Sequence, residues 1–213
     1  RLDRLGRVKD IAQVGAVIAR EFSHELIQSV VDLDSESLER SLLTLIDSGM
    51  IHPHGLPPGA TYSFKHALVQ DTAYSSLLKS KRAAIHALIV EAIDAHFPLT
   101  VETQPELVAF HYSQADKIAA AIPYWYQAGK LANQRSANQE ASSHLSTALA
   151  KLETQPPGES DDQLMLDILV ESITPVIAVK GYAGPELEGV YRKALALCEW
   201  VGDTPQIYPA LYA

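Results

Sequence analysis

The chain has 213 residues, 47% of them apolar, and a net charge of −9. That length allows two small domains, or one domain and the start of a repeat array. The negative charge argues against broad binding to nucleic acid or anionic lipid, and a single cysteine, Cys198, excludes an internal disulfide framework.

One cysteine also suits a reducing cytoplasm. Cys198 falls on an apolar helical stripe, so it reads as a buried core thiol. No apolar run approaches bilayer length. The nearest, Ile173 to Val179, contains Pro175. The start, RLDRLGRVKD, has no hydrophobic signal segment and reads as a cut through a longer protein; the end, PQIYPALYA, stops as another segment begins.

In chain order, Leu5, Val8, Ile11, Ala12, Gly15 and Ile18 recur at helical spacing. Ser23 is placed to cap a short second helix with Leu26, Ile27, Val30 and Val31. Asp34 or Ser35 caps a third, with Leu38, Leu42, Leu45 and Ile46 on one face and Gly49 closing it. Met50 and Ile51 start a strand, His52 to Gly59 is dense in turn residues, and Thr61 to Phe64 returns. Three helices followed by a β-hairpin is the winged-helix order. A winged helix that reads DNA wants Lys and Arg on its third helix. Here Asp34, Glu36, Glu39 and Asp47 stand against a lone Arg40, so packing against protein is expected instead. His52 and His54 share a strand face, but no Cys or carboxylate cluster joins them, and they read as part of a solvated turn.

At Tyr62 to Leu78, YSFKHALVQDTAYSSLL, a strand runs straight into a helix bearing Leu68, Val69, Ala73, Leu77 and Leu78. His66, Gln70 and Tyr74 recur every four residues along it. His66 sits where strand becomes helix. The unpaired N–H groups and positive dipole end there favour an anion such as phosphate. Capping the helix or bonding a local carbonyl is the other role open to that ring.

Beyond Leu78 only amphipathic helices are expected. Lys79, Lys81 and Arg82 form a small basic cluster ahead of a helix from Ala83 to Phe97, which Pro98 ends. Pro105 opens the next, with Leu107, Val108, His111 and Tyr112. Ile118, Ile122, Trp125, Gly129 and Ala132 mark another, which either starts near Ile122 or kinks at Pro123. Ala141, Leu145, Ala148 and Leu152 mark its partner, and Pro156 to Gly158 breaks the chain. A helix from Asp161 to Val179, disturbed at Pro175, precedes one from Pro185 that buries Leu187, Val190, Tyr191, Ala194, Cys198 and Val201. The large and small residues from Trp125 to Ala148 follow the order of a tetratricopeptide (TPR) repeat, with a plain helical bundle as the alternative. Tyr124, Tyr126 and Tyr182 are candidate surface aromatics on these helices.

No phosphate loop, HExxH, paired-cysteine zinc spacing or GxSxG elbow occurs. Eight histidines are scattered; His86, His111 and His144 lie on or beside apolar faces and read as core or interface residues. The chain is therefore read as non-catalytic, with no metal site and no cofactor of its own.

Phe64 to Asp71 and Tyr74, with AQVGAVIAREFS upstream, resemble the signal-transduction ATPases called STAND proteins. The likeness is to bacterial proteins that join a class III adenylate/guanylate cyclase domain, an ATPase domain and TPR repeats, and it covers about Leu2 to Trp200. LuxR-type regulators carry a comparable segment. The resemblance implies a mostly α fold, with a winged helix over residues 1–78 and a truncated TPR-like array over 79–213. It implies ATP or ADP held by an upstream ATPase domain of the same protein, and a protein or small ligand at the repeats. A histidine matching His66, from the Met-His-Asp motif of plant resistance proteins, contacts the β-phosphate of ADP in that family. Lys65 and Ala67 replace the Met and Asp here, so the correspondence rests on His66 alone. Phe64, Gln70, Asp71 and Tyr74 support the motif by fixing helix packing. The alternative is a transcription regulator, with the winged helix as DNA reader or with DNA binding elsewhere in the parent.

Overall fold

In the computed structural model, residues 6–156 and 159–201 are described. The expectations for Leu5, for Pro157 and Gly158, and for the side chain of Val201 fall outside that description. The protein is mostly helical, with a small three-stranded antiparallel sheet. It divides into two compact units, residues 1–101 with 114–116, and 102–113 with 117–213.

In the first unit, α1 (Arg7–Ile18) leads through β1 (Glu21–Ser23) into α2 (His24–Val30) and α3 (Ser35–Asp47). The Ser23 hydroxyl accepts the Leu26 N–H at 3.1 Å, and the Asp34 carboxylate accepts that of Ser37 at 2.8 Å. These caps satisfy first-turn donors that have no partner inside the helix. Gly49 closes α3 at φ +69°, its N–H reaching the Ile46 carbonyl while Met50 N–H reaches that of Leu45. This is the Schellman pattern, which needs a left-handed residue.

Next come β2 (Ile51–His54) and β3 (Thr61–Phe64), then α4 (Ala67–Ser75) and α5 (Lys79–His96). The strand order is β1-β3-β2, with Phe22 opposite Tyr62 and Ile51 opposite Phe64. The expected hairpin is thus a three-stranded sheet, because Glu21–Ser23 also pairs with β3. Three residues are too short to show strand periodicity. His52, Pro53 and His54 also belong to β2 rather than to a turn. Leu38, Leu42, Leu45, Ile27, Phe22 and Phe64 are buried in the core. A Cβ at Gly15 would lie 2.8 Å from the Phe22 ring, so glycine there lets β1 close on α1. Of the apolar residues expected to bury α4, Ala73 and Leu77 do so, whereas Leu68 is 74% exposed and Leu78 76%. The character of the sequence changes at Leu78, but α5 packs on α1 and α2, so the compact unit extends past it.

A short helix that the sequence did not signal, α6 (Pro98–Thr103), has Pro98 as its first residue. Pro98 follows the end of α5, as expected, and also starts α6, where its missing N–H costs nothing. Then follow α7 (Pro105–Gln114), α8 (Ile118–Gln134), α9 (Asn138–Leu152), α10 (Glu159–Lys180) and α11 (Pro185–Val201).

From α8 onward each helix packs chiefly on the next. A Cβ built on Gly129 would lie 2.5 Å from Leu145 Cγ, so the α8–α9 crossing is closed by a leucine seated on a glycine. Ala141, Leu145, Ala148 and Leu152 are all buried on the facing side of α9. Both internal prolines are accommodated within continuous helices. Pro123 is solvent-exposed, so water can satisfy the carbonyl it frees. Pro175 is buried, and the carbonyl four residues earlier, on Glu171, accepts Asn133 Nδ2 from α8 at 3.0 Å. Asn133 Nδ2 also reaches Glu171 Oε1 at 2.7 Å.

Three substitutions test this packing in urea titrations. Gly129→Ala should lose about 1–3 kcal/mol by overpacking against Leu145. Gly189→Ala, with open space at its Cβ, should hold or raise stability by up to about 1 kcal/mol through helix propensity. Asn133→Ala should lose about 1–3 kcal/mol, because it strands the Glu171 carbonyl that Pro175 cannot serve.

Candidate functional site

The site expected from the sequence is the β3–α4 junction. β3 is the middle strand and is held from both sides. Phe64, 2% exposed, ends it with its ring 5.9 Å from Phe22. The Lys65 N–H then bonds the Met50 carbonyl at 3.0 Å, which fixes how the chain leaves the sheet. His66 follows in an extended conformation, φ −138° and ψ 139°, as the residue before α4.

The His66 ring is exposed and makes no capping bond to the helix behind it. Its carbonyl accepts the Val69 N–H at 3.0 Å. The junction therefore presents an imidazole, the Lys65 side chain and a helix start without a side-chain cap. Such a terminus favours a negatively charged group by dipole and by amide donation.

The other motif residues divide in two. Gln70 Nε2 donates to the Ala16 carbonyl at 3.3 Å, tying α4 to α1. The Tyr74 hydroxyl lies 3.4 Å from His86 Nε2, with the Arg82 guanidinium 4.9 Å from its ring centre, tying α4 to α5. Gln13 Nε2 adds a bond to the Ser76 hydroxyl at 2.8 Å. Phe64, Gln70 and Tyr74 thus hold the junction in place. Asp71 is exposed; its carbonyl accepts the Ser75 hydroxyl, and its carboxylate faces solvent rather than a packing partner.

Sequence reasoning did not connect Gln13, Arg82 and His86 to this motif. His86 was recognisable as a core histidine, since it follows Ile85 on an apolar stripe, but its partner Tyr74 is set by how α4 meets α5. His86 is 1% exposed. Burial, and then the positive charge of Arg82, lower its pKa from 6.5 to about 4, so it is neutral at pH 7. His111 is fully buried, and His144 packs beside Trp125 with ring centres 5.4 Å apart. His54 Nε2 lies 3.0 Å from the Ser63 hydroxyl across the sheet. Among the described residues no group of three or more His, Cys, Asp or Glu side chains is placed to hold a metal ion.

No protein-family model matches the chain, and no solved structure does. An uncharacterised protein of Rhizobium meliloti (strain 1021) is 24% identical over 198 residues. The match covers 92% of this chain but 19% of the relative, so the chain spans a small part of that protein's length. No helix among the described residues is long and apolar enough to cross a membrane.

In the second unit, Tyr182 is 74% exposed, while Tyr124 stacks on Tyr112 at 5.4 Å. Tyr126 is half-buried with Lys130 Nζ 5.4 Å from its ring centre. Burial, then the charges of Asp167 and Glu171, push its phenol up to about 12. Beside it lies a shallow groove of about 450 Å³ that includes Glu102, Lys130 and Gln134.

The Tyr74–His86 contact predicts a pH dependence. The unfolded chain binds the His86 proton near pH 6.5 and the folded protein only near 4, so stability present above 6.5 is lost as pH falls towards 4. Denaturant titrations across that window should show a loss on the order of 2 kcal/mol, below the full conversion of the shift because Arg82 is partly solvated. His86→Gln, which keeps an acceptor for Tyr74, should remove that part of the slope.

Proposed function

We propose that this chain is a non-catalytic regulatory segment of a larger STAND-type signalling ATPase linked to a nucleotidyl cyclase. Its first unit is a winged helix that gates nucleotide held by an ATPase domain elsewhere in the parent. Its second is a TPR-like helical array that receives a protein or ligand signal. The single observation that carries the reading is His66. Its side chain is left exposed at a helix start without a side-chain cap, while Phe64, Gln70 and Tyr74 fix the backbone around it.

The element order supports the winged-helix assignment: three helices, then a hairpin whose returning strand leads to His66. The α8–α9 crossing, with Leu145 on Gly129, supports the repeat assignment. The small share of the relative's length that the chain matches agrees with a segment of a multidomain protein. A signal at the repeats would bias the first unit between nucleotide-holding and nucleotide-releasing positions, a two-state switch. DNA reading draws no support, because α3 exposes Glu36, Glu39 and Asp47, and its Arg40 pairs with Glu36 at 3.9 Å.

The experiment is His66→Ala in the full-length parent, with ADP retention and output activity measured together. A hydrogen bond to a charged phosphate is worth about 1.5–3 kcal/mol, so ADP affinity should fall roughly 10- to 100-fold. Unchanged ADP affinity and unchanged output would sink the sensor role.

A further inference from the structure

The first unit carries a second feature, on the side built by α3 and the hairpin. Leu42, Leu43 and Ile46 of α3 face Pro53, Leu56 and Tyr62 across an apolar groove of about 270 Å³. Its floor is solid: Leu42 is 1% exposed and Tyr62 3%. Its lips are leucines left in water, Leu43 at 56% and Leu56 at 85% exposure. A leucine on each lip, with a buried aromatic below, suits an apolar side chain arriving from outside.

The lining carries one charged residue, and it is acidic. Glu39 lines the groove itself, and Glu36 and Asp47 flank it, one turn away along the exposed face of α3. No Lys or Arg is among the lining residues. Arg40, the lone cation of α3, is engaged by Glu36. The charge of Glu39 reaches into the groove: the Tyr62 hydroxyl is pushed above its usual range by burial first and then by Glu39. Nucleic acid and anionic lipid are repelled by such a rim. A second copy of this chain would bring a further nine net negative charges.

We infer that the α3–hairpin groove docks a basic amphipathic helix of another polypeptide, with apolar anchors between Leu43 and Leu56 and Lys or Arg opposite Glu39 and Asp47. The mode is a helix laid in a groove, with anchors at i, i+3 and i+4. The apolar contact supplies affinity, and the acidic rim supplies orientation and rate of capture. This inference does not depend on His66, which belongs to the β3–α4 junction.

The test uses the whole chain and a short fluorescein-labelled helical peptide of Leu, Ala and Lys, followed by fluorescence anisotropy. The counterpart has every Lys replaced by Glu. The basic peptide should bind at least about tenfold more tightly than the acidic one, and added salt should weaken it. Leu43→Ser and Leu56→Ser remove the lips without touching the charge, and each should weaken binding at least about fivefold. Glu39→Gln should flatten the salt dependence. Leu56 is in the hairpin loop, so its variant remains informative even where Leu43→Ser perturbs α3; circular dichroism checks both. Equal affinity in the serine variants would mean diffuse charge attraction and would overturn the proposal. So would equal binding of the two peptides, or a concentration-dependent dimer of the chain that Leu56→Ser abolishes.

Discussion

Everything at the β3–α4 junction depends on how firmly β3 is held. It is the middle strand, so both of its edges are paired. Phe64 at its end is packed against Ile51 and Phe22, and the Lys65 N–H is claimed by Met50. A residue leaving such a strand has no freedom to choose its direction. Gln70 and Tyr74 then fix the far side of the turn by bonding α1 and α5. The consequence is that His66, placed between two immobilised segments, presents its ring to solvent without making a local bond. A side chain used for a transient ligand benefits from this arrangement, since the backbone beneath it has little ordering entropy left to lose on contact.

The second unit is held by a different kind of constraint. Its helices meet their sequential neighbours, so close approach between pairs matters more than any central core. Gly129 under Leu145 is the extreme case. Pro175 shows how the same stacking absorbs a helix-breaking residue. A buried proline frees one carbonyl, and in an isolated helix that carbonyl would need water. Here Asn133 on a neighbouring helix donates to it. Stacked helices can satisfy each other's defects, and a local sequence window cannot register that.

Much of the fold was legible because caps and stripes are local. Ser23 and Asp34 cap where their side chains and the following apolar positions required. Ala141, Leu145, Ala148 and Leu152 all face inward as their spacing demanded. Elements too short to carry a period were missed, namely β1 and α6. The burial of α4 was only half legible. Leu68 and Leu78 fit the apolar pattern yet stand in water, whereas Ala73 and Leu77 are buried.

The candidate site divides along the same line. The sequence by itself determined that His66 sits between a strand and a helix, and that α3 is acidic. Those are properties of residue type and spacing, which need no neighbours. Only the tertiary structure decided that Tyr74 meets a neutral, buried His86, that Asp71 faces solvent while Gln70 does not, and that Leu43 and Leu56 form two lips of one groove. Each of these is a contact between segments distant in the chain, set by how the helices pack on the sheet and on one another, and no local pattern encodes that packing.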